Sequence, residues 1–303
     1  MRLHYYRDSI GNVGDELNPW LWPRLLPGFF DDDDDAYFVG IGTILGLELP
    51  PAARKIVFGS GVGYGQAPAL DAQWDVRFVR GPLTAAALHL PPERAITDGA
   101  LALRLLLPPA SGGRGAGFVP HHLSAEYANW QRICDDAGVR FIDPRSAVPK
   151  VLGQIANCSM IIAEAMHGAI LADTLRVPWR AVKAYSHINQ FKWDDWCQSL
   201  DLRYEAAAIP AVFDGTWARF PRRQELWLRQ AWRAKTPRID VRPIPRTRTS
   251  PAIREQATIA LANIARAGDG ILSESAVYDR ALARISDELD KLRRGTIVRV
   301  SDL

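Results

Sequence analysis

The sequence predicts an α/β protein of two Rossmann-like domains followed by a C-terminal helical tail, and three observations carry that prediction. Short apolar runs of strand length alternate with helix-period stretches and glycine turns from residue 3 to about 107. A Pro/Gly/Ser-rich segment, PPASGGRGAG at residues 108–117, interrupts the alternation, which resumes at Phe118. Residues 252–303 carry helical periodicity alone. The expected organisation is an N-terminal domain at 1–110, a linker at 111–117, a second domain at 118–236, a linker at 237–251 and a tail at 252–303. With 303 residues, 48% of them hydrophobic, there is enough apolar material for packed cores.

In the first domain, residues 3–6, 37–39, 55–58, 77–79 and 95–97 read as strands, and 82–90 and 100–107 as helices. In the second, residues 118–120 form a strand, 127–137 a helix, 140–142 a strand and 148–157 a helix. Residues 159–163 are a further strand, and from Gly168 the residues Ile170, Leu171, Thr174 and Leu175 keep helical spacing until Pro178 stops them. Residues 187–200, HINQFKWDDWCQSL, read as an amphipathic helix with Phe191, Trp193 and Trp196 as large flat faces. In the tail, Tyr278, Leu282, Ile285, Leu289 and Leu292 follow heptad spacing. Two heptads are short for an independent coil, so residues 274–294 either dock on the body or pair with a second subunit as a homodimer.

A formal net charge of +3 argues against a dedicated nucleic-acid binder. Cys134, Cys158 and Cys197 are odd in number and widely spaced, which excludes a disulfide framework or zinc knuckle and points to a reducing compartment. No apolar run approaches the ~18 residues of a membrane span, so the expected location is cytoplasmic, with any membrane contact peripheral. Residues 217–248 are the part suited to such contact: arginines dominate, and Trp217, Trp227 and Trp232 are interleaved, as on helices that meet anionic bilayers. The run Asp31 to Asp35 reads as a solvated loop, because adjacent carboxylates do not converge on one ion.

Candidate chemistry gathers where strands end. In the turn Glu164-Ala165-Met166-His167-Gly168 a carboxylate and an imidazole stand at a helix N-terminus, whose N–H groups attract anions at the carboxyl edge of an open sheet. Arg80, in Arg80-Gly81-Pro82-Leu83-Thr84, presents a guanidinium at the equivalent edge of the first sheet and faces His167 across a cleft. In the run 11–19, GNVGDELNP, Asp15 is expected to cap a helix with Pro19 in its first turn. Capping accounts for one carboxylate and leaves a second, Glu16, with Asn12, for an acceptor. Gly61 allows backbone to approach a ligand, although neither glycine run matches a dinucleotide fingerprint. Asp98 and His121-His122 also follow strands, with no third residue at metal-ligand spacing beside the histidines. Trp193 with Asp194 suits a sugar, stacking on its C–H face and bonding its hydroxyls, though burial of the indole in a core is an equal reading.

Taken in order, the runs GNVGDELNPW (11–20), GIGTIL (40–45), FGSG (58–61), VRGPLT (79–84), TDGA (97–100) and AMHGAI (165–170) resemble the polysaccharide pyruvyl transferase family, most closely the bacterial ketal-pyruvyltransferases of exopolysaccharide assembly. The resemblance covers roughly residues 3–200. It implies a GT-B-like arrangement of the two domains, phosphoenolpyruvate as donor, a hexose of a lipid-linked oligosaccharide as acceptor, and neither cofactor nor metal. By position, His167 matches the family's proton-transfer histidine, Arg80 a donor-binding arginine and Asp15 a carboxylate near the acceptor. Ala165 stands where many members carry arginine. Ketal formation needs an acid, a base near the sugar and cations for phosphate and carboxylate. The expected assignments are His167 as acid, Asp15 or Glu164 as base, and Arg80, Gly168, Gly61 and His121 around the donor. Asn12, Glu16, Trp193 and Asp194 are expected around the acceptor. Two other readings stay open: a nucleotide-sugar-dependent glycosyltransferase of the same fold, and a non-catalytic membrane-associated assembly partner.

Overall fold

In the computed structural model, which describes residues 1–47, 49, 54–214 and 248–295, the apolar runs become strands whose ladders with one another are parallel, beside one antiparallel bridge between Trp179 and Ile271. Strands covered on both faces read as unbroken apolar runs. The first sheet takes β1 (Arg2–His4), β2 (Ala36–Val39), β3 (Arg54–Phe58) and β4 (Trp74–Phe78) in chain order. It therefore lacks the reversal of strand order that a doubly wound sheet needs. The expected strand at 95–97 is reduced to one bridge between Ala95 and Val79.

The second sheet holds β5 (Ala116–Val119), β6 (Arg140–Phe141), β7 (Met160–Ala163), β8 (Trp179–Lys183) and β9 (Ala207–Ala208) in the order β6-β5-β7-β8-β9. Here the order does reverse, because β6 lies on one side of β5 and β7 on the other. Chains leaving β5 and β7 diverge at such a point and open a crevice at the carboxyl ends, where ligands bind in α/β sheets. The loop after β5 carries His121 and His122, and the turn after β7 carries Glu164 and His167.

Around the sheets lie α1 (Val13–Leu25), α2 (Pro82–Ala87), α3 (Ser124–Tyr127), α4 (Trp130–Ala137), α5 (Val148–Ala156), α6 (Met166–Thr174) and α7 (Gln190–Ser199). Asn12, not Asp15, caps α1: its side chain accepts from the Gly14 N–H, Asp15 and Glu16 fall in the first turn, and Pro19 lies inside the helix. The expected helix at 100–107 is a 3₁₀ turn, Gly99–Leu105, opened by Asp98, whose carboxylate accepts from the Ala100 N–H. One apolar core runs from α1 and the first sheet (Leu17, Trp22, Phe58) into α5, α6 and α7 (Val151, Ile170, Trp196). Hydrocarbon thus packs part of the junction between the two halves.

The tail folds back on the body. Helix α8 (Pro251–Ala267) buries Ala257 and Leu261 in a second core with Ile133 of α4. Helix α9 (Ser275–Arg293) buries Tyr278, Ile285, Leu289 and Leu292, with Leu282 half-covered, in the first core. Each such side chain contributes about 1.5–3 kcal/mol on burial. Tyr278 Oη also donates to the Thr174 carbonyl (3.0 Å), and Arg293 Nη2 to the Leu25 carbonyl (2.8 Å). Of the two fates expected for residues 274–294, docking is the one realised. The seam is spent on its own chain.

Asp31 to Asp35 are exposed, as a solvated loop requires. Apart from Arg248, the basic tryptophan segment 217–248 lies outside the described residues. Among the described residues no helix is long and apolar enough to cross a membrane.

Candidate active site

Helix α6 starts directly after β7, with Ala165 at its N-cap and His167 in its first turn. Gly168 makes this tight start feasible: a Cβ there would lie 2.9 Å from Val119 Cβ of β5. The Gly168 N–H turns back to the Ala165 carbonyl, so this residue builds the helix start rather than offering its donor to a ligand. From α6 the imidazole of His167 reaches across to the first half and settles on Gly14 of α1, where a Cβ would fall 2.1 Å from Nδ1. Glycine at 14 is therefore the condition for the imidazole's position.

Two carboxylates of the first half flank that ring. Asp98 Oδ2 lies 3.8 Å from His167 Nε2, and the Asp98 side chain is fully buried while that of His167 is 11% exposed. Neither atom has a hydrogen-bond partner, so both keep unspent capacity. Asp15 is buried as well, and burial pushes its carboxyl up from 3.8 to about 6. His167, the Asn12 side chain and Lys192 pull in the opposite direction without cancelling that effect. Asn12 Nδ2 donates to Asp15 Oδ2 at 2.8 Å.

A pocket opens beside His167, with Asn12 and Tyr64 from the first half and His121, His187, Asn189 and Lys192 from the second on its walls. At about 40 Å³ it has room for about three waters, so a larger ligand has to part these walls. Lys192 Nζ donates to Tyr64 Oη at 3.2 Å, and Asn189 Nδ2 donates to the Gly63 carbonyl at 2.8 Å. Both bonds cross between the halves.

Several residues expected in the site lie elsewhere or serve otherwise. Arg80 is fully buried and does not face His167: Nε donates to Asp195 Oδ2 (3.0 Å), Nη1 to Thr43 Oγ1 (2.7 Å) and Nη2 to the Val62 carbonyl (2.8 Å). Gly61 makes room for that guanidinium, since a Cβ would lie 2.3 Å from Arg80 Cζ. Glu164 is fully buried beneath the pocket, with Oε2 accepting from the His121 N–H (3.0 Å) and Oε1 from the Ala184 N–H (3.1 Å). Burial raises its carboxyl above the ordinary range, and bonds from Ser124 and from the His121, Ala184 and Tyr185 N–H groups oppose that rise. Glu164 thus pins the loops after β5 and β8 to the turn after β7, a task that competes with a role as base.

Trp193 also lines the pocket, although it is 2% exposed and stacks on Tyr204 at 4.8 Å, which commits one face of the indole to the core. Glu16 is exposed and Asp194 half-buried, and neither lines the pocket. Asn12 and His121 do line it. Tyr64, His187, Asn189 and Lys192 were not nominated by the sequence. Their one local signal is position, since residues 187–192 follow β8 and so reach the same carboxyl edge as the loops after β5 and β7.

Residues 3–187 match the polysaccharide pyruvyl transferase family. Over 320 aligned positions the chain is 39% identical to the succinoglycan biosynthesis protein ExoV of Rhizobium meliloti (strain 1021), an alignment covering 97% of this chain and 99% of that protein. Asp15, Asp98, His121 and His167 fall inside the matched span, and Lys192 falls just beyond it.

Proposed function

The chain belongs to the polysaccharide pyruvyl transferase family, and from that premise we propose that it moves the pyruvyl group of phosphoenolpyruvate onto a hexose of a lipid-linked exopolysaccharide repeat unit, forming a ketal and releasing phosphate. The observation that supports this reading most directly is the placement of His167. The imidazole stands at a helix N-terminus on the switch point of the second sheet, between two buried carboxylates of the first half and beside a pocket.

The chemistry needs a proton delivered to the methylene carbon of the donor, which leaves C2 open to a sugar hydroxyl. In this reading Asp98 holds the Nε2 side of His167, and Nδ1, cleared by Gly14 and close to Asp15, exchanges its proton with the reacting groups. His167 gives one proton to the methylene, which becomes the methyl group. The first hydroxyl attacks C2, and its proton restores the His167–Asp15 pair. The bond from C2 to the phosphate oxygen then breaks, the second hydroxyl closes the ring, and its proton leaves with phosphate. Asp15, raised to about 6, is suited to take and return a proton near neutral pH. A lipid-linked acceptor would bring the protein to the cytoplasmic face of a membrane, where the basic, tryptophan-bearing residues 217–248 would meet anionic headgroups.

The test is to incubate the protein with phosphoenolpyruvate and a panel of lipid-linked or simple pyranosides, measuring released phosphate and product mass. Phosphate release that requires a sugar, matched by a pyruvate ketal on that sugar, is the expected result. Silence with every acceptor, together with consumption of a nucleotide sugar, would move the protein to glycosyl transfer.

A further inference from the structure

We infer that the groove between α5 and the amino ends of β5 and β6 binds an acidic saccharide, a sugar chain that carries carboxylates among its hydroxyls. The groove holds about 590 Å³, within the ~300–1,000 Å³ usual for small-molecule sites, and Arg114, Arg140 and Lys150 stand on its walls with no carboxylate among them. Arg114 precedes β5 and Arg140 opens β6, whereas the His167 pocket lies at the carboxyl ends of β5 and β7. Strand β5 is four residues long, about 13 Å, so the groove and the pocket open at opposite edges of one sheet.

The positive charge of the groove is not answered within the chain. All three basic side chains are exposed. The Asn157 carbonyl, just past the end of α5, accepts from Arg140 Nη1 (3.2 Å) and from the Arg114 N–H (3.1 Å), so the negative end of that helix is already met. The other side-chain donors of Arg140, and all those of Arg114 and Lys150, have no hydrogen bond or ion pair among the described residues. Asp143 attracts Lys150 from outside the groove but is taken by Arg145, whose Nε donates to Oδ1 at 2.7 Å. Two guanidinium forks and one ammonium around a single groove suit carboxylates spaced along a ligand.

Two further features fit a sugar rather than a bare anion. Gln154, on the wall, keeps Oε1 buried with no hydrogen-bond partner. A carboxylate or phosphate dianion has no proton to give it, whereas a sugar hydroxyl, met by a turn of the terminal amide, donates to it. Gly153 lies inside α5 on the groove side, and nothing stands within 4 Å of where its Cβ would be. Packing therefore does not require glycine there, although glycine weakens a helix interior relative to alanine. What it leaves is bare backbone that a pyranose ring can approach closely. A pyruvate ketal retains the carboxylate of pyruvate, so the product of the preceding reading is itself an acidic saccharide. Only that last link rests on the preceding reading.

The test measures binding of tetragalacturonate, neutral maltotetraose, inorganic sulfate and phosphatidylglycerol vesicles to the full chain, to Arg114→Gln with Lys150→Gln, to Gln154→Leu and to Gly153→Ala. Tetragalacturonate should bind and maltotetraose should not. The double variant should weaken tetragalacturonate about tenfold or more. Gln154→Leu and Gly153→Ala should each weaken it about threefold while sulfate stays within about twofold of wild type. Gly153→Ala should also raise the thermal midpoint, so its weaker binding cannot be assigned to unfolding. Tetragalacturonate binding indifferent to the double variant, or no tighter than that of sulfate, would overturn the inference. Vesicle binding that the double variant abolishes, with tetragalacturonate unbound, would overturn it in favour of a lipid surface. Phosphate release from phosphoenolpyruvate with a simple pyranoside separates the two readings. Release unchanged in every variant, with tetragalacturonate bound through Arg114 and Lys150, supports the groove as a site apart from the chemistry. No release from the wild type, with the same binding, would end pyruvyl transfer and leave the groove standing.

Discussion

Two turns of this protein follow the same plan and come to opposite ends. After β4, Arg80 to Thr84 lead into α2, and after β7, Glu164 to Gly168 lead into α6. Each sets a charged or titratable side chain at the carboxyl edge of a parallel sheet, and each uses a glycine for close approach. A Cβ on Gly81 would lie 1.9 Å from the Asp195 carbonyl oxygen, and one on Gly168 would lie 2.9 Å from Val119 Cβ. In the first turn the charge is met in full. Asp195 arrives from α7, takes Arg80 Nε, and also accepts from the Thr84 N–H (2.9 Å) and hydroxyl (2.6 Å). In the second turn the imidazole stops 3.8 Å from Asp98, and both facing atoms stay without hydrogen bonds. The difference shows that charge at a strand end does not make a site by itself. A side chain with unspent bonding capacity that also lines a pocket does, and here it is His167.

That contrast breaks down if the two turns respond alike to mutation. His167→Ala should lower turnover by about 10²–10⁴-fold, the usual contribution of a proton-transferring side chain. The loss of stability should be smaller than for Arg80→Met, because Nε2 has no hydrogen bond to lose and only the attraction to Asp15 and the packing of the ring go; urea unfolding beside steady-state kinetics reads both. Near-normal turnover would make the open turn as structural as the closed one. Arg80→Met should do the reverse. It strands the Asp195 carboxylate in the interior, and losing one partner of a buried ion pair costs about 3–5 kcal/mol. Adding Asp195→Asn should restore part of that loss. Donor affinity in the folded fraction should hold, whereas weakened affinity at unchanged stability would return Arg80 to the donor pocket.

What the sequence let one read follows from how local each property is. Strand ends, glycine turns and helix starts are written within a few neighbouring residues, so His167, His121 and Asn12 could be placed on the pocket side from the sequence alone. The partner of Arg80 is 115 residues away, and nothing near Arg80 announces that it is spoken for. Trp193, Asp194 and Asp195 are consecutive, yet helix phase buries Trp193 and Asp195 and leaves Asp194 half out. The reversal of strand order that opens the crevice between β5 and β7 is likewise absent from the alternation of elements, which reads the same in a sheet without one.

Asp15 sharpens the same comparison from the side of stability. In the closed turn Asp195 accepts from Arg80 and Thr84, whereas Asp15 is buried with an attraction to His167 and Lys192 too weak to offset that burial, and its carboxyl rises from 3.8 to about 6. Between those values the folded chain holds a proton that the unfolded chain has released. Stability is therefore fully present below about pH 4 and lost as pH rises through 6, by about 3 kcal/mol in all. Asparagine keeps the size and can still accept from Asn12, but never ionises. Asp15→Asn should therefore match the wild type near pH 4 and exceed it at pH 8 by at most about 3 kcal/mol, the attraction to His167 and Lys192 being already contained in the value of about 6. Turnover should fall in the same variant, since the His167–Asp15 pair no longer exchanges a proton. Urea midpoints at pH 4, 6 and 8 give the curve. A variant weaker than wild type at pH 8 would mean that the pull of His167 and Lys192 outweighs burial, and that both turns are closed by their charges after all.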